Sequence, residues 1–519
     1  MLRSNGSDYG VYRGRLAPER DIASTLEEII VMVIFMALAA GIRFWKLGEW
    51  SFWADEVFSV QDAQKFPSEL TINPIIYMIV RALAGVFGIS EWSARLGSCI
   101  IGILGVPVIY WSAKRMFNAK VGMIACIFLV IHPWHIFWSQ NARAHSLAFL
   151  FAGLSAFLFY LALERDSVGL VILSLFLTLI SILSYLQTIM LLPALAGYVV
   201  LLMFLPVGIP RGLNGKNLIA FFGPFALALF LLLSPSVRSY LYSGWGLNEW
   251  GRDPLYILLT LVYCLGIPMA VAAFIGGIHS LIYLNRSGLF LICYAVVPLV
   301  LLLITSLFLN VAGYYIFFTL PAYLLLAAFC ASELTESASR RSRLISAAVI
   351  LIVFVALLSQ SYLYFAVENG GRPKWREAFQ ALEHRIGSDD TVVVSMPRIA
   401  EYYLQEPESG ETRRETQDIR RASLTSQVSG LKSQVSILMQ LGDVIEQLGT
   451  LEDLWRWRNQ HVWFVLDEPC LSVLDADNRF REWLYANCRL VEEFPVYARV
   501  MDRTIRIWHM KPSSLEPIY

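Results

Sequence analysis

Two adjacent carboxylates, Asp55 and Glu56, stand in the stretch GEWSFWADEVFSV, crowded by Trp50, Phe52, Trp53 and Phe58. Farther along, WSQNARAHSL brings Gln140, Asn141, Arg143 and His145 close together. A carboxylate can take a proton from a hydroxyl, and a guanidinium grips phosphate oxygens as a planar fork. Asp55 is therefore the candidate base. Glu56 is its acidic neighbour, and since helical neighbours point about 100° apart, one can face a site while the other braces a loop. Arg143 is the first candidate for a phosphate, because it falls in a turn at the end of an apolar run. Arg95 is the second; its structural alternative is a pairing with Glu91, four residues earlier on the same helical face. Asn73, Gln140, Asn141 and His145 are candidate hydrogen-bonding partners for a substrate, as are Arg238 and Tyr240 in a loop at 236–253 that could close over a site. His132, His135 and His145 could in principle hold a metal, but dispersed histidines at a turn read more simply as hydrogen-bonding residues.

These residues sit in a chain built for lipid. Of 519 residues, 57% are hydrophobic and only 16% charged, which describes an integral membrane protein. Lys plus Arg equal Asp plus Glu at 41 each, so bulk charge gives no argument for nucleic acid. A bilayer core of roughly 30 Å takes about 20 helical residues. Apolar runs near that length occur at 29–47, 94–112, 121–138, 145–163, 168–185, 188–206, 217–235, 254–275, 288–309, 314–332 and 344–366, which predicts about 11 spans. Residues 1–28 carry four arginines and read as a cytoplasmic tail. Lys114, Arg115, Lys120, Arg211, Lys216, Arg286, Arg340, Arg341 and Arg343 then fall in loops on the same side, which is the cytoplasmic one. Loops 48–93, 139–144, 236–253 and 310–313 are placed opposite, and an odd number of spans puts residues 367–519 there too.

Within the first outer loop, ADEVFSVQDAQKF and NPIIYMIVRALAGVFG read as two short helices lying on the membrane surface. Ionisable residues gather at this end of the early spans: Asp55, Glu56, Asp62, Arg81, Glu91, Arg95, Arg143 and His145. The cores of the later spans carry none, which argues against an ion-coupled transporter. Trp45, Trp50, Trp53, Trp92, Trp134, Trp138, Trp245 and Trp250 fall near outer ends and read mostly as interfacial anchors. Past residue 366 charges and turn residues return. TVVVSM, HVWFVLDEP and TIRIWHM read as strands and WREAFQALEHRIG as a helix ending at Gly387, giving a small α/β domain over 367–519 with an insertion at 406–432. Cys470 and Cys488 are a candidate disulfide there, weighed equally with two free thiols.

Three segments taken together, LGEWSFWADEVFSV, INPIIYMIVRALAGVFGISEWSARLGSCIIGILGVPVIYWSAKRMF and VGMIACIFLVIHPWHIFWSQNARAHSLAFL, resemble the amino-terminal half of GT-C class membrane glycosyltransferases. The branch is that of the protein O-mannosyltransferases and the lipid A aminoarabinose and galacturonic acid transferases. The resemblance covers most of residues 40–165, continues weakly through YYIFFTLPAYLLLAAF, and returns at PKWREAFQAL. It implies sugar transfer from a polyprenyl-phosphate carrier on the outer side of the membrane, with inversion at the sugar carbon. It also implies an essential acidic residue in the first outer loop, matched here by Asp55. The chain departs from the family pattern at Asn73-Pro74-Ile75, where members often show His-Pro-Pro, at Asn141, where they show Glu, and at Gly313, where they show Arg. The expectations are an α-helical polytopic membrane protein with GT-C architecture, a catalytic unit over 29–366, and an inner bacterial membrane as its place. A lipid-linked donor and an envelope acceptor, whether protein, lipid A or glycan, are its partners. No organic cofactor is expected, and a divalent cation is left open. Two rival readings are a lipid or glycan flippase and a noncatalytic envelope assembly protein.

Overall fold

The structure is a computed structural model that describes residues 22–68, 72–243, 253–336, 340–387, 390–404, 437–441, 461–498 and 501–510. Peptide groups find no partner in hydrocarbon, so the apolar runs close their hydrogen bonds within themselves as helices. The first seven are α1 (Ile22–Phe44), α2 (Ala54–Lys65), α3 (Pro74–Phe87), α4 (Glu91–Met116), α5 (Ala119–Val130), α6 (Pro133–Ser139) and α7 (His145–Arg165). Among the described residues, six helical stretches are long and apolar enough to span a membrane, or eight if each of two bent pairs counts as one span. The bent pairs are α5 with α6, at 62°, and Pro254–Leu265 with Ile267–Ile282, at 100°. Pro133 and Pro268 stand at the breaks, where a missing N–H ends the preceding ladder. The remaining apolar runs among the expected 11 fall on α1 and on the shorter helices Val168–Ser184 and Gly215–Leu231.

Between α1 and α4 the two short helices expected from the sequence are present as α2 and α3. The buried face of α2 is Glu56, Val57, Ser59, Val60 and Ala63, leaving Asp55, Phe58 and Asp62 half-buried. Asn73 precedes α3 in the left-handed region (φ 66°), which asparagine tolerates. The tryptophans depart from expectation. Trp45 and Trp92 are exposed, as anchors should be, but Trp50, Trp134 and Trp138 are buried inside the protein, and Trp245 and Trp250 lie outside the described residues.

Helices inside the bundle approach through small residues. At Gly276 an added Cβ would lie 2.2 Å from the Leu326 carbonyl oxygen, so the helices Ile267–Ile282 and Leu320–Glu336 meet at backbone distance there. Between α7 and Val168–Ser184 the contact is polar: Ser155 Oγ donates to the Ser174 carbonyl and shares a hydrogen bond with Thr178 Oγ1.

The tail carries a sheet of β1 (Thr391–Val394), β2 (Ile437–Gln440), β3 (Val462–Asp467), β4 (Arg489–Phe494) and, after a small ladder of β5 (Tyr497–Ala498) and β6 (Met501–Asp502), β7 (Ile505–Met510). Its order is β2-β1-β3-β7-β4. β1 pairs parallel with β2 and β3, whereas β7 runs antiparallel to β3 and β4. β1 and β3 are buried on both faces, as the centre of a covered sheet should be. The helix expected to reach Gly387 is shorter, Trp375–Glu383. The insertion at 406–432 lies outside the described residues. Cys470 and Cys488 are not joined in a disulfide, which corrects that alternative: Cys470 hydrogen-bonds to Asp467 at the end of β3, while Cys488 packs against an apolar cluster that includes Trp483.

Replacing Gly276 with Leu forces these two helices apart and costs about 1–3 kcal/mol. A lower unfolding midpoint of the detergent-solubilised protein checks this.

Candidate active site

The two neighbouring carboxylates have opposite environments. Glu56 is fully buried, and each of its oxygens is taken. Arg95 Nε and Nη2 donate to Oε1 and Oε2 at 2.8 and 2.7 Å, the Ala142 amide donates to Oε1 at 3.0 Å, and Arg372 Nε donates to Oε2 at 3.2 Å. Burial by itself would push this carboxyl up, but the two guanidiniums outweigh it and hold Glu56 at about 2. Arg95 also donates to the carbonyls of Leu47, Trp50 and Ser51. Arg372 reaches the carbonyls of Gly370 and Gln140. One carboxylate thus joins α2, α4, the turn at 140–144 and the first residues of the tail.

Arg95 and Glu56, expected at the phosphate and at the chemistry, are instead a closed ion pair with no exposure. The alternative partner of Arg95, Glu91, pairs with Arg376 of the tail. Gln140 is also structural: its Nε2 donates to the carbonyls of Arg43 and Trp45, and its Oε1 accepts from Tyr364. Asn73 Oδ1 accepts from the Leu186 amide, tying α3 to the residue after Tyr185.

Asp55 faces the other way. Its carboxylate lies 3.7 Å from Arg143, and both side chains are about a third exposed, at 30% and 27%. Arg143 Nη1 also approaches the Asp55 carbonyl at 3.4 Å and Ser59 Oγ at 3.3 Å. Burial lowers the affinity of this guanidinium for its proton; Asp55 and the phenols of Tyr77, Tyr314 and Tyr185 reverse that and raise it. Behind Arg143, His145 stacks on Trp138 with ring centroids 3.4 Å apart and lies 4.7 Å from Tyr185 and 5.6 Å from Tyr314. Neither nitrogen of His145 has a hydrogen-bond partner among the described residues, nor do Tyr185 Oη, Trp138 Nε1 and Asn141 Nδ2, all buried. Asn141 Oδ1 accepts from Trp53 Nε1 at 3.4 Å.

The bend between α5 and α6 sets the height of this turn, and Arg43 holds the bend. Fully buried at the end of α1, Arg43 donates to the carbonyls of Val130 and Leu129 at the break and to Ala39; its Nη2 lies 2.9 Å from His135 Nδ1. A cation is favourable at a helix C-terminus, where carbonyl dipoles converge.

Of the proposed lid, residues 244–252 and the side chain of Tyr240 lie outside the described residues. Arg238 is exposed and donates to the Leu233 carbonyl. No group of three or more His, Cys, Asp or Glu that could hold a metal occurs among the described residues, so no ligand set is assigned. Arg372, Arg376, Tyr77 and Tyr185 were not singled out from the sequence. Only Arg372 and Arg376 left a trace, as the basic residues flanking PKW directly after the last apolar run.

The chain thus combines a bundle of long apolar helices, two shorter helices α2 and α3, an acid–guanidinium edge between α2 and the 140–144 turn, and an α/β tail. Residues 72–207 match the model of a family described as dolichyl-phosphate-mannose-protein mannosyltransferase. Among solved structures, ArnT from Cupriavidus metallidurans in the apo state is 15% identical with a TM-score of 0.55, over 96% of this chain and 100% of that one. The same protein bound to undecaprenyl phosphate is 14% identical with a TM-score of 0.54, over 94% and 99%. The oligosaccharyltransferase AglB from Archaeoglobus fulgidus, in complex with an inhibitory peptide and a dolichol-phosphate, is 11% identical with a TM-score of 0.55, over 91% of this chain and 73% of that one. No curated protein sequence matches the chain. The fold is thus shared along nearly the whole chain, and the family match overlaps the segment whose motifs carried the resemblance.

Glu56→Gln leaves two buried guanidiniums facing a neutral amide and destabilises the protein by about 3–5 kcal/mol, measurable by chemical unfolding in detergent. The sign of the pH effect follows from the lowered value. Stability from Glu56 is complete above the ordinary value of 4.5 and is lost as pH falls through about 2. Wild type therefore loses stability across that acidic window, and the variant shows a flatter dependence there.

Proposed function

We propose that the protein transfers a sugar from a polyprenyl-phosphate-linked donor to an envelope acceptor at the outer face of the membrane. The observation that carries this reading is the partly exposed Asp55–Arg143 pair, a carboxylate and a guanidinium 3.7 Å apart at the end of the helix bundle. Bound undecaprenyl phosphate in ArnT and dolichol-phosphate in AglB, on the same fold, support a lipid-borne donor. Basic residues in the opposite loops support an outer location for the site, and a bacterial inner membrane is the setting that fits.

In this reading Asp55 accepts the proton of the acceptor hydroxyl as that oxygen attacks the anomeric carbon. The bond from that carbon to the phosphate oxygen breaks, and the electron pair leaves with the phosphate. Arg143 stabilises the charge gathering there, exchanging part of its contact with Asp55 for the phosphate. Attack opposite the leaving group inverts the sugar carbon in one displacement. The unpartnered His145 nitrogens, Tyr185 hydroxyl and Asn141 amide supply buried donors and acceptors to a polyhydroxylated group. Glu56 and Arg95 take no direct part; they fix the frame that aims their neighbours. A divalent cation beside Asp55 would serve the same leaving phosphate, and no step here depends on one.

Purified protein incubated with labelled polyprenyl-phosphate sugars and envelope fractions should label one product class. Asp55→Asn should lower transfer by about 10²–10⁴-fold while binding of the lipid phosphate persists. Undiminished transfer by that variant would remove Asp55 as the base. Failure of wild type with every donor tested would favour a flippase or assembly protein. Arg143→Ala should weaken both donor binding and turnover, and Arg143→Lys should recover only part of each, since an ammonium cannot form the fork.

A further inference from the structure

Five consecutive residues, Gly48 to Phe52, lead into the helix that carries Asp55, and the tail meets every one of them. Arg376 Nη2 donates to the Gly48 carbonyl at 3.4 Å and Nη1 to the Glu49 carbonyl at 3.2 Å. Trp50 packs against Gly370 so closely that an added Cβ would lie 2.3 Å from its ring, and Arg372 lies over the same indole. Ser51 Oγ donates to the Pro373 carbonyl at 2.9 Å. The Phe52 amide donates to Tyr403 Oη at 2.6 Å, and that hydroxyl donates on to Glu91 Oε1 at 2.9 Å. Glu91 also receives Arg376, so one carboxylate at the start of α4 anchors both tail side chains. Asp55 is the second residue of α2, three positions beyond the last of these contacts.

We propose that Tyr403 and Arg376 are positioning residues for the transfer reaction: the tail grips residues 48–52 and thereby fixes where α2 begins and where its second residue points. The proposal rests on the reading of Asp55 as the base. Neither side chain touches the Asp55–Arg143 edge, so their effect passes through the backbone. Tyr403→Phe removes both hydrogen bonds of the hydroxyl while keeping its ring against Phe379 and Tyr402. Misplacement of a reacting group by about 1 Å can cost on the order of 100-fold, so kcat should fall roughly 10- to 100-fold with KM for the lipid donor nearly unchanged.

The test uses the full chain in lipid nanodiscs, with hydrogen exchange measured beside turnover on labelled polyprenyl-phosphate sugar. Tyr403→Phe and Arg376→Gln should each speed exchange over residues 50–56 and leave α4 and α7 unchanged. Arg376→Lys should restore part of the protection and part of kcat. Unchanged exchange over 50–56 in both variants overturns the grip, and faster exchange with wild-type kcat overturns its role in positioning. If wild type transfers no sugar, the reading of Asp55 as base fails and this positioning role fails with it, while the exchange data still report whether the tail grips the turn.

Discussion

The end of the bundle that carries Asp55 and Arg143 is hung on one buried carboxylate. Glu56 holds two guanidiniums and a backbone amide from three separate parts of the chain. Such a cluster contributes little net stability over an apolar replacement, because desolvating three charges costs about what their attraction returns. What it contributes is registry. Removing any member strands the others in a medium that cannot solvate them, so α2, α4, the 140–144 turn and residue 372 must arrive together or not at all.

The division of labour between Asp55 and Glu56 follows from helix geometry. Adjacent positions diverge by about 100°, and the buried face of α2 takes Glu56 with Val57, Val60 and Ala63. Asp55 is thereby turned toward Arg143 and solvent. Of the two neighbouring acids, one is an internal brace and the other lines the half-buried edge with Arg143.

Much of this was legible in the sequence. Hydropathy marks the helical runs, the two short helices α2 and α3 fall almost where their amphipathic pattern puts them, and β1, β3 and β7 lie on the runs rich in β-branched and aromatic residues. Asp55 and Arg143 stand out because charge is costly beside hydrocarbon. What stayed hidden is pairing over long separation. Arg95 has a plausible partner four residues away in Glu91, yet its partner is Glu56, and Glu91 goes to Arg376, 285 positions later. A local spacing rule cannot see either. Nor does hydropathy tell a straight span from a broken one; in the apolar run at 121–138 only Pro133 marks the bend between α5 and α6. The tryptophans misled for the same reason: an aromatic near a span's end is an anchor only if nothing packs over it, and the tail packs over Trp50.

Arg43 carries a last implication. It enters the interior without a carboxylate, neutralised only by peptide dipoles. Arg95 and Arg372 meet the buried Glu56, whereas Arg43 is met by carbonyl oxygens and His135, so its charge is spread into the dipoles at the end of α5. Mobile counterions cannot enter to screen it. Removing that cation would leave the carbonyls at the break without their donor, so the bend between α5 and α6 depends on a charge set in place as the chain folds.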